Sequence, residues 1–344
     1  MERQAGMHSW LRVVLPVLLA CLSISASASA FDMEITPFRT VNQSPLVRIF
    51  GLPAQSDAAL APAGRVTATL SQDIASSYTL NRTVREQIML DGESYRWTLA
   101  ASYGLGQRFE AGVEIPYLLD GGGFLDNFII EWHKTFGLPQ GGRDTAAKNR
   151  MNYSYSKDGV QKLAMNNAGS GIGDVSLTGG MKLYETRDNG EHDSLSLRAA
   201  LKLPTGDSAS LQGSGSTDFA LSLCGSMTNF TEWGSLGLFG SAGGMAMTDG
   251  KVLRDQQHNI VGFGTIGVGW GPAEWISFKV QLNGSTPFYR DSSLDELSRY
   301  PLMLIMGGSL KLFGDYRLDI GVSEDVAVAT APDVALHLGL SRRF

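Results

Sequence analysis

Two cysteines in 344 residues, no long apolar run and no excess of basic charge each close off a class of protein. A membrane helix needs about 18 or more unbroken apolar residues, and none follows the first thirty positions. Lys and Arg number 28 against 34 Asp and Glu, a formal charge of −6, so nucleic acid is not expected as a partner, because phosphate binding needs a basic surface. Cys21 lies in an expected signal segment, which leaves Cys224 alone. An intramolecular disulfide and a cysteine-rich metal site are therefore both excluded. Glycine, by contrast, is abundant at 41 residues, and mean hydropathy is close to zero. That combination fits a β-rich chain whose apolar residues are spread thinly.

Residues 1–30 read as a secretory signal peptide. Arg3 and Arg12 precede the apolar run Val13 to Leu22, and small residues at Ala28 and Ala30 suit cleavage before Phe31. A retained anchor, or lipoprotein processing at Cys21 within Leu18-Leu19-Ala20-Cys21, are the alternatives; each takes the chain out of the cytoplasm. Residues 31–63 carry Pro37, Pro45, Pro53 and Pro62 without periodicity, and could plug a barrel from the periplasmic side or form a loose tether.

From residue 65 onward the dominant period is two. Tyr95, Trp97, Leu99, Ala101, Tyr103 and Leu105 alternate with Arg96, Thr98 and Ser102; Leu195, Leu197, Ala199 and Leu201 alternate with Ser196, Arg198 and Lys202. About twelve such segments begin near residues 65, 93, 107, 172, 193, 217, 233, 259, 273, 300, 314 and 333. Short turns between them alternate with longer connections, at 79–92, 118–171, 204–216, 247–258, 285–299 and 323–332. The expected fold is an all-β antiparallel transmembrane barrel of about 12 strands over residues 64–344, sited in the bacterial outer membrane with both chain ends in the periplasm. A soluble two-sheet sandwich is the alternative.

The final strand places Leu336, Leu338 and Leu340 on one face and stops at Phe344, which resembles the assembly signal that outer-membrane barrels present to their insertion machinery. Arg342 departs from it by standing on the lipid-facing phase. The expected partners are that machinery, outer-membrane lipid and lipopolysaccharide, and an unidentified small solute.

If the apolar phase meets lipid, the opposite phase lines the lumen with Arg96, Arg108, Glu110, Glu114, Asp174, Lys182, Arg198, Lys202, Lys279, Lys311, Arg317, Asp319, His337 and Arg343. Cations outnumber carboxylates in this set. Either they attract anionic solutes, or they form cross-strand ion pairs that stiffen a narrow barrel. Within 118–171, an expected extracellular loop, Phe124, Phe128, Trp132 and Phe136 recur at helical spacing beside Leu125 and Ile129, with Asp126, Asn127, Glu131 and Lys134 opposite, so one amphipathic helix is expected there. It could lie in the outer interface, cover the mouth as a lid that captures apolar solutes, or pack within its own loop.

Gly123-Phe124-Leu125-Asp126, with His133, Phe136-Gly137-Leu138-Pro139 and Gly141-Gly142-Arg143-Asp144, resembles a bacterial envelope family catalogued as a domain of unknown function, over most of the chain. Leu203-Pro204-Thr205-Gly206-Asp207 and Gly213 to Asp218 resemble, over one hairpin, the outer-membrane transporters of phenol meta-cleavage pathways. These resemblances imply a barrel and solute passage, and no catalytic residue.

No Gly-x-Ser-x-Gly elbow or His-Glu-x-x-His pair is present, and the glycines from Gly262 to Gly271 suit close strand packing better than a dinucleotide. His192 and Ser194 share a strand face, yet beside a short periplasmic turn, so a lipid hydrolase is the lesser alternative. Acidic loop residues such as Asp249, Asp255, Asp291 and Glu324 lack calcium-loop spacing and read as a solvated surface. No enzyme activity, cofactor or metal is expected. The reading is a channel or transporter for small apolar or anionic solutes, with a closed structural or adhesive barrel as the alternative.

Overall fold

Alternating side chains give each strand an apolar and a polar face, and only a closed sheet can bury one face while leaving no unpaired edge. The computed structural model describes residues 34–137, 142–188, 190–326 and 331–344, so the expected signal segment lies outside them. The strands are β1 (Val66–Arg82), β2 (Glu86–Leu105), β3 (Phe109–Gly121), β4 (Asn152–Lys157), β5 (Val160–Met165), β6 (Gly169–Ile172), β7 (Ser176–Asp188) and β8 (Glu191–Lys202), followed by β9 (Asp218–Thr231), β10 (Gly234–Met247), β11 (Ile260–Ala273), β12 (Ile276–Ser285), β13 (Leu302–Lys311), β14 (Tyr316–Asp325) and β15 (Val334–Arg343). Twelve of them, β1 to β3 and β7 to β15, form an antiparallel next-neighbour barrel. It closes where β1 meets β15, with Leu70 opposite Leu340 and Asp73 opposite His337.

The wall has the expected polarity. Leu70, Leu99, Leu223, Leu238, Val268 and Leu338 are exposed on the outside, while Ser71, Thr98, Ser222, Phe239 and His337 are buried on the other phase. Tyr103, Tyr184, Trp233, Trp275 and Phe313 ring the turn end, and Tyr117, Phe219 and Tyr300 stand toward the loop end, all exposed. An even-numbered barrel with an apolar belt between aromatic girdles is built for the bacterial outer membrane. The described residues contain no helix long and apolar enough to span a membrane. In β7 the register shifts between Lys182 and Tyr184, so Leu183 and Tyr184 both face out and Glu185 returns to Lys182, 2.5 Å away.

Two connections differ from expectation. Segment 79–92 is mostly strand: β1 runs to Arg82, and β2 starts at Glu86 rather than near 93. Seventeen and twenty residues exceed the roughly 9–11 a tilted strand needs to cross a membrane, so this hairpin projects beyond it. Connection 118–171 holds the expected helix, Asp126–Phe136, and also β4, β5 and β6, which extend the sheet beside the upper parts of β2 and β3. Tyr153 and Tyr155 on β4 point into an apolar cluster with Ile88, Leu90, Met245, Val261, Phe288 and Tyr289, which fills the loop end of the barrel.

Residues 34–63 lie inside the barrel. The chain rises from the turn end, reverses at Pro45–Phe50, where the Val47 and Arg48 amides donate to Ser44 O at 2.9 and 3.0 Å, and descends to Ala63, which bridges Gly104. Leu46, Val47, Ile49 and Phe50 at the reversal join the apolar cluster. Wall glycines make room for this segment: a Cβ on Gly237 or Gly269 would sit 2.4 or 2.5 Å from Ile35 side-chain atoms. Gly267 likewise accommodates the inward ring of Phe239, at 2.3 Å from such a Cβ.

Candidate functional site in the barrel interior

The interior is a set of ion pairs between wall and inner segment. Lys202 is buried, with Nζ at 2.7 Å from Asp174, 3.0 Å from Asp218, 2.5 Å from Ser214 Oγ and 3.3 Å from Ile49 O of the inner segment. The Gly51 amide donates to Asp218 at 2.7 Å, so one wall cluster grips both sides of the reversal. Its loop residues come from the Pro-Thr-Gly-Asp hairpin, where Gly206 N donates to Asp174 at 2.8 Å. Lower down, Lys279 bonds Asp319 at 2.9 Å and Thr36 O at 3.0 Å, and its ammonium sits 3.9 Å from the Phe38 ring centroid. Gln281 exchanges hydrogen bonds with the Phe38 backbone. Arg198 binds Glu110 and the carbonyls of Asp57 and Ala59, and Arg39 of the inner segment binds Glu114. His337 Nδ1 lies 2.7 Å from Asp73, which also accepts from Thr40 Oγ1 at 2.8 Å. At the reversal Arg48 pairs with Asp120 at 2.5 Å, both buried.

The residues named from the strand phase are therefore distributed as follows. Glu110, Asp174, Lys202, Lys279, Asp319 and His337 are buried, and Arg96, Glu114, Lys182, Arg198 and Arg317 are partly buried. Arg108 is a correction: it stands in the exposed turn 106–108, outside the strand whose phase placed it. Lys311 and Arg343 are exposed at strand ends, where Arg343 reaches Glu34 at 3.6 Å. Several interior carboxylates escaped the sequence reading. Asp73 and Asp218 were legible, since each continues the alternation set by Leu70 and Ile74 or by Phe219 and Leu221. Arg39 and Arg48 were not, because the inner segment has no period. With these acids in place, the cationic excess counted along the strands is largely neutralised by partners.

Two adjoining spaces remain between inner segment and wall. A vestibule of about 470 Å³ opens at the turn end, lined by Arg39, Asp57, Arg198, Lys311, Arg317 and Arg343. It shares Arg39, Thr69, Glu110 and Arg198 with a cavity of about 120 Å³ deeper in, beside β1–β3 and β8–β9. At the turn end His192 Nδ1 is 3.0 Å from Glu34, and its Nε2 is shared among Ser194 Oγ (3.3 Å), Glu185 (3.3 Å) and Arg187 Nε (3.1 Å). An Nε2 so divided ties Glu34 to the wall and is poorly placed to serve Ser194 as a base.

The long connection packs on the outside of the barrel's projecting rim. Arg143 bonds Ser76 Oγ at 2.8 Å, Asp126 at 2.8 Å and Asp333 at 2.6 Å, and covers the Tyr78 ring. Ser76 and Tyr78 are on the outward phase of β1, so this hub fastens the helix beside the wall and not across the mouth. Ile129 and Ile130 are buried, while Phe124 and Phe128 are exposed; the side chains of Trp132 and Phe136 lie outside the described residues. At the other end Leu338, Leu340 and Phe344 are exposed and Leu336 partly so. Arg342 stacks on Tyr316 and Phe344 with ring centroids at 4.9 and 4.7 Å, which carries its charge along the aromatic girdle to the interface.

The chain belongs to DUF3187. This family, described as a protein of unknown function, matches residues 13–344. No curated protein matches the sequence. Among solved structures, the chain is similar to an outer-membrane channel from Pseudomonas putida F1, at 14% identity over 83% of this chain and 97% of that one, with a TM-score of 0.49. It is also similar to the CymD monoaromatic hydrocarbon channel (10% identity, 90% and 94% covered, TM-score 0.33) and to the toluene transporter TodX of P. putida (11%, 82% and 89%, 0.31).

Proposed function

We propose that this member of DUF3187 is an outer-membrane channel for small solutes, gated by residues 34–63 as a plug. The observation that carries this reading is the way the plug is held. A polypeptide that threads the barrel is bonded to the wall chiefly through polar and charged groups, with open space of about 470 and 120 Å³ beside it. Polar contacts can be exchanged for water at modest cost, whereas a continuous apolar core cannot. The main apolar seal is at the loop end, and four of its twenty-one buried residues, Leu46, Val47, Ile49 and Phe50, belong to the plug itself, while Phe38 of the plug packs separately on Met303 and Ile305. A shift of the plug would therefore withdraw its part of the loop-end seal and lengthen the path already open at the turn end.

The second reading, a closed structural barrel, is favoured by the completeness of that seal. A disulfide lock separates the two. A Cβ on Gly51 would lie 3.1 Å from that of Asp218, just inside disulfide spacing, and 2.8 Å from that of Lys202, so a small shift of the plug backbone away from the wall at this point relieves the contact and lets Gly51→Cys with Asp218→Cys tie plug to wall. In proteoliposomes the reduced variant and the native protein should pass small solutes and show single-channel events, and oxidation should silence the variant alone. Absence of flux in native and reduced protein alike supports the closed barrel.

A further inference from the structure

Arg96 is the cation in the deep cavity without a carboxylate of its own. It projects inward from β2 between Asp73 on β1 and Leu118 on β3, and its hydrogen bond is to Thr98 Oγ1 at 3.2 Å. No carboxylate among the described residues lies within ion-pair distance. The acids around it are already engaged: Asp73 by Thr40 and His337, Glu114 by Arg39, Asp174 by Lys202, Gly206 N and Ser214 N, and Asp120 by Arg48. The Arg48 side chain is fully buried and pairs with one oxygen of Asp120, leaving its own Nε and Nη1 and the Asp120 Oδ1 without partners among the described residues, so these atoms are closed off from the cavity. The Arg96 guanidinium, held inside a barrel with most donors unused, is costly unless an anion completes it.

The rest of the cavity describes that anion. Across from Arg96 the lining turns apolar, with Ala200, Ala220, Cys224 and Phe263 on the wall and Leu52 and Pro53 on the plug. Its volume of about 120 Å³ approaches the roughly 150 Å³ that suffices to hold one aromatic ring. The geometry points to a binding site for a small organic anion, a carboxylate on an apolar body of about one ring. The carboxylate takes the free fork of Arg96, and the body lies against Leu52, Ala200 and Phe263. Entry is from the vestibule, through the lining the two spaces share. This inference rests on the channel reading for its purpose, though not for its test.

Binding is measured by calorimetry on refolded full-length protein in detergent, with benzoate, the neutral benzyl alcohol and inorganic phosphate as probes. Benzoate should bind saturably and at least tenfold more tightly than either of the others. Arg96→Gln should weaken benzoate at least tenfold and leave benzyl alcohol unchanged, and Ala200→Phe, which fills the apolar end, should weaken both organic probes. Heat-modifiable migration certifies each variant's barrel, and if Arg96→Gln does not fold, Ala200→Phe decides. No benzoate binding, equal binding of benzyl alcohol or phosphate, or a folded Arg96→Gln that binds benzoate normally overturns the site. Solute flux with no benzoate binding would leave the channel standing and sink this site; benzoate binding with no flux in any plug variant does the reverse.

Discussion

Lys202 shows how single residues hold the inner segment. Its ammonium lies between Asp174 and Asp218 and reaches a plug carbonyl, so removing the charge strands two buried carboxylates. Breaking such a cluster by deleting one partner costs about 3–5 kcal/mol, while replacing the whole set costs far less. Lys202→Met should therefore lower the unfolding free energy read from the urea transition of the refolded barrel by that order, and adding Asp218→Asn should recover part of it. An unchanged unfolding free energy in Lys202→Met would mean the cluster is solvated. The position of Lys202 was legible, because Leu195 to Leu201 set the phase of β8. Its partners were less so: Ser214 and Ile49 O come from a loop and a plug that no period places. Arg108 failed for the complementary reason, since strand phase holds only while the residue is in the strand.

The projecting hairpin is where the strand ends depart from expectation, β1 running to Arg82 and β2 starting at Glu86. Within the membrane belt β2 turns its apolar residues outward, but above it Ile88 and Leu90 are buried inward against the cluster under Tyr153 and Tyr155. The backbone continues unchanged while the outside solvent changes from lipid to water, so the apolar phase inverts and the segment resembles a loop. The alternation of Tyr153 and Tyr155 with Asn152, Ser154 and Ser156 was a strand signal in plain view on β4. Glu86 ties this projection to the neighbouring loop, accepting from Tyr155 Oη at 2.5 Å and from Ser293 N and Oγ at 2.6 and 2.7 Å. Burial alone would raise its pKa; the hydrogen bonds from Tyr155 and Ser293 outweigh it and hold the carboxyl down to about 2. A carboxyl lowered on folding stabilises above its unfolded value of about 4.5, and that contribution fades as pH falls toward 2. Amide exchange in β4 and the tip of β2 should accelerate over this window, and Glu86→Gln should flatten the response. Exchange independent of pH in the native protein, after correction for intrinsic rates, would show that the tie carries no stability.

For the whole molecule, hydrophobicity is sorted by depth as well as by face. The wall is apolar outside and ionic inside across the belt, then apolar inside and polar outside at the loop end, and the averages over the sequence conceal both. The twelve strands of the barrel were legible because lipid imposes one phase on all of them. The inner segment was legible only as an aperiodic, proline-bearing stretch, because its conformation is set by a wall that distant residues build. Leu223 stands midway along β9, between Phe219 and Phe230, and faces out, whereas Trp233 stands in the girdle of the turn end. An arginine on the lipid face costs about 2–4 kcal/mol at the bilayer midplane and about 0–1 near an interface. Leu223→Arg should thus destabilise refolding into lipid vesicles by several times more than Trp233→Arg, read from the denaturant dependence of the heat-modifiable band. Equal costs at the two sites would mean that the apolar belt is not centred where the girdles place it, and a negligible cost at both would mean that this face does not meet lipid at all.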